Sequence, residues 1–161
     1  MVYADITEMI FRPEKHSDLG SIRSVHTVSF PNTNEARLVD ELRTANRLSI
    51  SLVAVKLHDV VGHVAFSPVI VNGAEGAGLG PVAVLPAYRR IGIGEQLIRK
   101  GLEACRKQGD GYVVVLGAQA TTAGLVSNPR TVGNCAIRID MQKHSRLWNS
   151  CRVRYQPAAE W

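Results

Sequence analysis

The stretch Gly80-Pro-Val-Ala-Val-Leu-Pro-Ala-Tyr-Arg-Arg-Ile-Gly-Ile-Gly94, followed by the run Glu95 to Gln108, reads as a strand, a tight glycine loop and the start of an amphipathic helix. That geometry is a cradle for an anion. Backbone N–H groups at a helix N-terminus, with the positive end of the helix dipole behind them, suit a pyrophosphate. Gly92 and Gly94 place no side chain between ligand and backbone, and either adopts positive φ at little cost. Arg89 and Arg90 set charge-assisted donors beside the loop.

Two other glycine-rich phosphate loops are excluded by the residues themselves. A Walker loop needs Gly-Lys-Ser/Thr, where this chain has Gly94-Glu95-Gln96; a dinucleotide fingerprint needs a third glycine, where Leu97 stands. What remains is Arg89-x-x-Gly92-x-Gly94 after Val82-Ala-Val-x-Pro86. On its own an Arg-x-x-Gly-x-Gly run also fits an ordinary turn before a surface helix; the strand, loop and helix together carry the weight. In that context the chain resembles the GNAT family of acyl-CoA-dependent N-acetyltransferases. The resemblance implies that Arg89, Arg90, Ile91, Gly92, Ile93 and Gly94 hold the pyrophosphate of acetyl-CoA. It also implies that the acyl-pantetheine arm pairs with the backbone of Val82, Ala83 and Val84.

With 161 residues and 45% hydrophobic content, the chain is long enough for one well-packed domain over 1–161 and too short to suggest two. No apolar run approaches a membrane span, and Met1 to Asp5 lacks the basic and apolar blocks of a signal peptide. A cytoplasmic protein that engages no membrane is the simplest expectation. Three cysteines, Cys105, Cys135 and Cys151, lack zinc or redox spacing and read as ordinary thiols in a reducing compartment, so no metal is expected. The net charge of +5 is concentrated in the tail. Residues 1–117 hold 13 Lys/Arg against 12 Asp/Glu, whereas 118–161 hold six against two. With no interleaved aromatic residues for base stacking, a nucleic-acid partner is not expected.

Periodicity orders the elements. A strand over Ile6 to Arg12 is followed by a helix over Asp18 to Phe30, closed by Pro31. Asn32, with Glu35 three residues on, opens a second helix to about Arg47. Strands at Ser51 to Leu57 and Val60 to Val71 join tightly at His58-Asp59, and Asn72 to Gly76 is a turn cluster. A fourth strand spans Gly78 to Leu85, the third helix Gly92 to Gln108, and a buried fifth strand Tyr112 to Leu116. The order β-α-α-β-β-β-α-β predicts an α/β (α+β) fold, a mixed central sheet flanked by helices with a right-handed parallel crossover at its end. It is also the order of the GNAT fold. Phe30-Pro31, Glu35-Ala-Arg-Leu-Val-Asp40 and Val61-Gly-His-Val-Ala-Phe-Ser-Pro68 are similar to a bacterial subgroup of acetyltransferases, and the likeness extends over about residues 6–117.

After Gly117 the pattern departs. The subgroup continues with a Tyr-Tyr pair, Arg-Phe-Gly-Phe and Pro-Ala, none of which stands in Ala118 to Arg130. Reading the last base of each codon with the first two of the next, the junctions from Ala120/Thr121 to Pro129/Arg130 permit Tyr-Tyr-x-Arg-Phe-Gly-Phe-x-Pro-Ala. In the same frame Trp148/Asn149 fixes Glu and Arg152/Val153 permits Gly, where the subgroup has Glu-Leu and Pro-Gly. Residues from about Ala118 onward therefore read as a frame-shifted translation of a family C-terminus; a divergent tail is the other reading.

The resemblance implies direct acetyl transfer from acetyl-CoA to a primary amine of a small molecule or protein. Such chemistry needs a way to remove the amine proton, a donor for the oxyanion and a proton for the departing thiolate. Main-chain N–H groups at Val82 to Val84 would polarise the thioester. In many family members a Tyr after the fifth strand protonates the thiolate, and no Tyr stands there in this chain. For the base, His63 has a suitable pKa, although a histidine satisfied within the sheet is the preferred reading. Glu35 and Glu41, on the second helix, read either as selecting a cationic amine or as ordinary helix-surface charges. Family members often pair through C-terminal strands, so a homodimer is an expected form. The alternatives to an active enzyme are a silent acyl-CoA-binding protein and an inactive product of a frame-shifted gene.

Overall fold

The computed structural model describes residues 8–71, 73–117, 135–140 and 154–156. Its elements run β1 (Met9–Pro13), α1 (Leu19–Ser29), α2 (Asn34–Thr44), β2 (Ile50–Lys56), β3 (Asp59–Val71), β4 (Ala74–Val84), α3 (Ile93–Gln108), β5 (Tyr112–Gly117), β6 (Cys135–Asp140) and β7 (Arg154–Gln156). The strands form one seven-stranded sheet in chain order. All neighbours are antiparallel except β4 and β5, whose connection through α3 makes them parallel.

Alternation along the central strands feeds two cores. Leu52 and Ala54 of β2, with Val64 and Phe66 of β3, pack under Ile93, Leu97, Ile98 and Leu102 of α3. Val53 and Val55, with Ala65 and Ala83, pack against Ile22 and Val25 of α1 and Val39 of α2. The helices therefore lie on opposite faces, as a two-sided sheet with alternating apolar strands requires. Gly101 makes the α3 face possible: a Cβ there would lie 2.1 Å from the Phe66 ring.

The order through β5 matches the expected one, and the differences are local. The first strand is described from Met9, residues 1–7 being outside the described set. The β2–β3 turn sits at Leu57-His58, one residue early, because Lys56 already pairs with Asp59 and Leu57 takes φ +56°. β4 begins at Ala74, inside the expected turn cluster. There the bare face of Gly76 accommodates Tyr112, whose ring and carbonyl a Cβ would meet at 2.8 and 2.7 Å. α2 stops at Thr44, before the left-handed Asn46. Asn32 Oδ1 accepts the Asn34 N–H at 2.9 Å, but Glu35 completes no capping box, and its buried Oε2 has no partner. Strands β6 and β7 extend the sheet where the sequence reading placed none.

Candidate active site

β4 and β5 run together only briefly. Their ladder joins Ala77, Gly78 and Leu79 to Val113, Val114 and Val115, and beyond Leu79 β4 continues to Val84 without β5. On its other edge β4 stays paired: Val82 lies opposite Val64, Ala83 opposite His63 and Val84 opposite Gly62. Leu85 N–H then donates to Val61 O at 2.9 Å. Antiparallel alternation thus turns the polar groups of Ala83 and Leu85 toward β3 and those of Val82 and Val84 toward the opening. A strand half-paired in this way offers donors and acceptors to an extended ligand.

The loop that follows carries the chain from this opening into α3. A short 3-10 turn at Pro86–Tyr88 leads to Arg90 at φ +63° and Gly92 at φ +90°, and the helix starts at Ile93. The helical ladder begins with Gln96 N–H to Gly92 O at 3.0 Å, so the N–H groups of Ile93, Gly94 and Glu95 have no intrahelical acceptor. Ile91 and Ile93 turn their side chains into the core and offer the site only main chain. A Cβ on Gly94 would meet nothing closer than Val84 Cγ2 at 3.8 Å, so packing within the protein does not require glycine there. That residue joins the loop to the opening, because Val84 belongs to both.

Both arginines are exposed, and they differ in their contacts. Arg89 donates from Nε to Val84 O at 3.0 Å and from Nη2 to Ser29 O at 3.1 Å, and Ser29 Oγ donates to the same Val84 O at 3.1 Å. Tyr88 packs against the α3-side core with Lys56 Nζ 6.0 Å over its ring. Glu95 pairs with Arg99 one turn on, and exposed Glu41 with Arg37.

His63 is fully buried on the α1 face, where both ring nitrogens are engaged. Nδ1 lies 2.8 Å from His26 Nε2 and Nε2 lies 2.8 Å from Ser51 Oγ. Ser51 donates to Glu14 Oε2, and Arg43 grips the same carboxylate at 3.0 and 2.8 Å. Burial lowers the His63 pKa despite the nearby Glu14 carboxylate. The same cause, reinforced by His63 and Arg43, pushes His26 down to about 3. Burial alone would raise the Glu14 carboxyl; nearby His63 and the donors of Arg43 and Ser51 outweigh it and hold the group ionised. Ser51 and His63 do not form a hydrolase triad, because the carboxylate sits on the serine and not on the far imidazole nitrogen. His63 thus holds sheet and helix together and touches no open surface. Glu14, Ser51 and His26 were not found by sequence reasoning. The only signal is register: Ser51 stands diagonal to His63 on one face once β2 and β3 are paired.

Among the described residues no group of His, Cys, Asp and Glu could hold a metal. The Cys105 thiol is buried and pushed up to about 12 by burial and by Asp110, which removes it as a nucleophile. The side chains of Cys135 and Cys151, and the segment 118–134 where a Tyr was sought, lie outside the described residues. Also among the described residues, no helix is long and apolar enough to cross a membrane.

Known proteins match this architecture. The acetyltransferase (GNAT) family profile matches residues 19–126. The uncharacterized N-acetyltransferase YhbS of Escherichia coli K12 is 38% identical over 115 residues, spanning 70% of this chain and 69% of that protein. A second K12 relative, the uncharacterized N-acetyltransferase YjhQ, is 37% identical over 107 residues, 63% of this chain and 59% of its own. Among solved structures, a GNAT family acetyltransferase from Brucella melitensis in complex with acetyl-CoA superimposes with a TM-score of 0.67 at 38% identity, covering 80% of this chain and 94% of that one. YhbS from E. coli in complex with CoA gives a TM-score of 0.67 at 37% identity, covering 70% and 64%. An opening beside half-paired β4, a glycine loop leading into α3 and these matches agree, and the chain belongs to the acetyltransferase (GNAT) family as an acyl-CoA-dependent N-acetyltransferase.

Proposed function

We propose that this chain transfers the acetyl group of acetyl-CoA directly to a primary amine of a small molecule or protein. The observation that carries the reading is the departure of β4 from β5 after Leu79, which leaves Val82 and Val84 main-chain groups facing the opening. The pyrophosphate sits on the N–H groups of Gly92, Ile93, Gly94 and Glu95, with the helix dipole behind them and Arg90 beside them. The pantetheine arm runs along Val82–Val84, and the thioester carbonyl takes a main-chain N–H there.

The acceptor nitrogen attacks the carbonyl carbon, its proton passes to solvent, and collapse of the tetrahedral intermediate breaks the C–S bond. A thiol with a pKa near about 8.5 leaves as thiolate without a strong acid, so transfer does not depend on the Tyr that the segment after Gly117 lacks. Direct attack also accords with the inert Cys105, which excludes that thiol as an acyl carrier. Were the departing thiolate to need that Tyr, its absence would favour one second reading, a silent acyl-CoA binder.

Thermal shift and thiol release together test the proposal. Acetyl-CoA raises the unfolding temperature, because a ligand of the native state stabilises it. Thiol release is then followed with spermidine, lysine and a lysine-containing peptide. Tight acetyl-CoA binding with no release from any amine would replace transfer by the silent binder.

A further inference from the structure

Arg89 stands first in the Arg-x-x-Gly-x-Gly run, where a guanidinium beside a pyrophosphate is the obvious assignment. Two of its donors, on the Nε and Nη2 side of the fork, are directed elsewhere. Nε and Nη2 reach two carbonyls, Val84 O at 3.0 Å and Ser29 O at 3.1 Å, which end β4 and α1. Ser29 Oγ adds a second donor to Val84 O at 3.1 Å. Side chain and backbone thus close a small ring joining loop, strand and helix. Val84 is the residue whose polar groups alternation turns toward the opening. With its carbonyl held by two donors, that residue presents its N–H to a ligand and not a competing acceptor. A planar fork suits two separate carbonyls in fixed directions, which a lysine ammonium does not reproduce.

We propose that Arg89 is a positioning residue: with Ser29 it clamps the Val84 carbonyl, fixing the thioester-polarising end of β4 against the end of α1, and it does not bind the cofactor pyrophosphate. The proposal rests on the acetyl-transfer reading for its kinetic consequences only. The clamp itself is a set of contacts within the chain and stands apart from that reading.

Two thioesters separate the roles. Acetyl-CoA carries the pyrophosphate; S-acetylpantetheine has the same reacting end without it. Arg89→Ala is expected to lower kcat/KM by the same factor with both, about tenfold or more, chiefly through kcat. Calorimetric Kd for CoA is expected to stay within about twofold of the parent, since no contact to the pyrophosphate is lost. Arg89→Lys keeps the charge and is expected to behave like Ala in turnover; it also decides the matter should the Ala variant fail to fold. Weakening of CoA binding by more than about tenfold, with pantetheine binding unchanged, would overturn the proposal, because a charged hydrogen bond to the pyrophosphate is worth that much. So would turnover left intact in Arg89→Lys.

Should the parent release no thiol with any amine, the transfer reading fails separately, and CoA titration with amide exchange still decides the clamp. Faster exchange at Val82 and Val84 in the variants supports it, and unchanged exchange overturns it.

Discussion

His26 Nε2 lies 2.8 Å from His63 Nδ1, and the polar groups on either side fix which nitrogen carries each proton. Ser51 spends its one hydroxyl proton on the Glu14 carboxylate, so its oxygen accepts from His63 Nε2–H at 2.8 Å. His63 Nδ1 is then bare and accepts from His26 Nε2–H, leaving His26 Nδ1 bare and without a partner. Both histidines are Nε2–H tautomers. Nitrogen NMR is expected to show two neutral imidazoles at pH 7, each with a bare Nδ1; a protonated Nδ1 on His63 would break the assignment.

The same pair makes stability depend on pH. His26, held down to about 3 by burial, His63 and Arg43, and His63, held down by burial against Glu14, are both neutral in the folded chain. The unfolded chain protonates them near about pH 6.5. Unfolded chains therefore bind more protons below that pH, and stability is full above it and falls as pH drops toward 3, at about 1.4 kcal/mol per pH unit per histidine. Glu14, whose pKa is lowered, acts in the same direction only below its ordinary range near about 4.3. Arg43, gripping Glu14 and paired with Asp40, keeps its charge through this window. Urea midpoints from pH 7 to 5 check the sign: a fall is expected in the parent and one about half as steep in His26→Phe, where His63 alone still titrates on unfolding. A flat parent profile would contradict the neutral pair.

Breaking the chain at its charged end is expected to cost more. Glu14→Ala leaves Ser51 without its acceptor and Arg43, which grips Glu14 at 3.0 and 2.8 Å, with Asp40 as its remaining carboxylate in a partly buried site. A loss of about 2–3 kcal/mol follows from the two charged hydrogen bonds and the hydroxyl bond removed together. Glu14→Gln keeps the shape and one acceptor oxygen and is expected to cost about 1–2 kcal/mol. Equilibrium unfolding at pH 7 separates the two; a Glu14→Gln chain as stable as the parent would mean that shape, and not the ion pair, holds the site.

What the sequence disclosed follows from how local each feature is. The loop was legible because Gly92 and Gly94 act within one turn of chain and the strand and helix on either side have clear periods. β4 was shortened in the reading because Gly76 looks like a turn residue until Tyr112, brought alongside by the parallel crossover, explains it. The buried network was illegible for a related reason. Glu14 follows β1, and His26, Ser51 and His63 come from α1, β2 and β3, so no spacing along the chain marks them. Arg89 shows the converse: its motif position suggested one contact, and the ends of α1 and β4 supplied another.

The codon junctions after Gly117 make a prediction about the encoding DNA. In the shifted frame, DNA encoding residues 118–130 is expected to read Tyr-Tyr-x-Arg-Phe-Gly-Phe-x-Pro-Ala. Sequencing across codons 116–120, together with the intact mass of the expressed chain, checks it. Codons whose third bases exclude those residues would make the tail a divergent one in its own frame.

Gly94 and Gly101 separate a glycine kept for a ligand from one kept for the core. Gly101→Ala drives a Cβ to 2.1 Å from the Phe66 ring. Phe66 is fully buried and α3 must shift, so a cost of about 1–3 kcal/mol is expected despite the better helix propensity of alanine. Gly94→Ala meets only Val84 Cγ2 at 3.8 Å, and its backbone is not left-handed, so stability is expected to hold or rise by up to about 1 kcal/mol. The added methyl lies where the cradle meets the opening, and CoA affinity is expected to fall about tenfold, as a cofactor held by close backbone approach requires. Thermal melts and CoA titration on the two variants give opposite patterns: Gly101→Ala loses stability with binding retained, Gly94→Ala loses binding with stability retained. A Gly94→Ala chain that binds CoA as tightly as the parent would move the pyrophosphate away from this helix end.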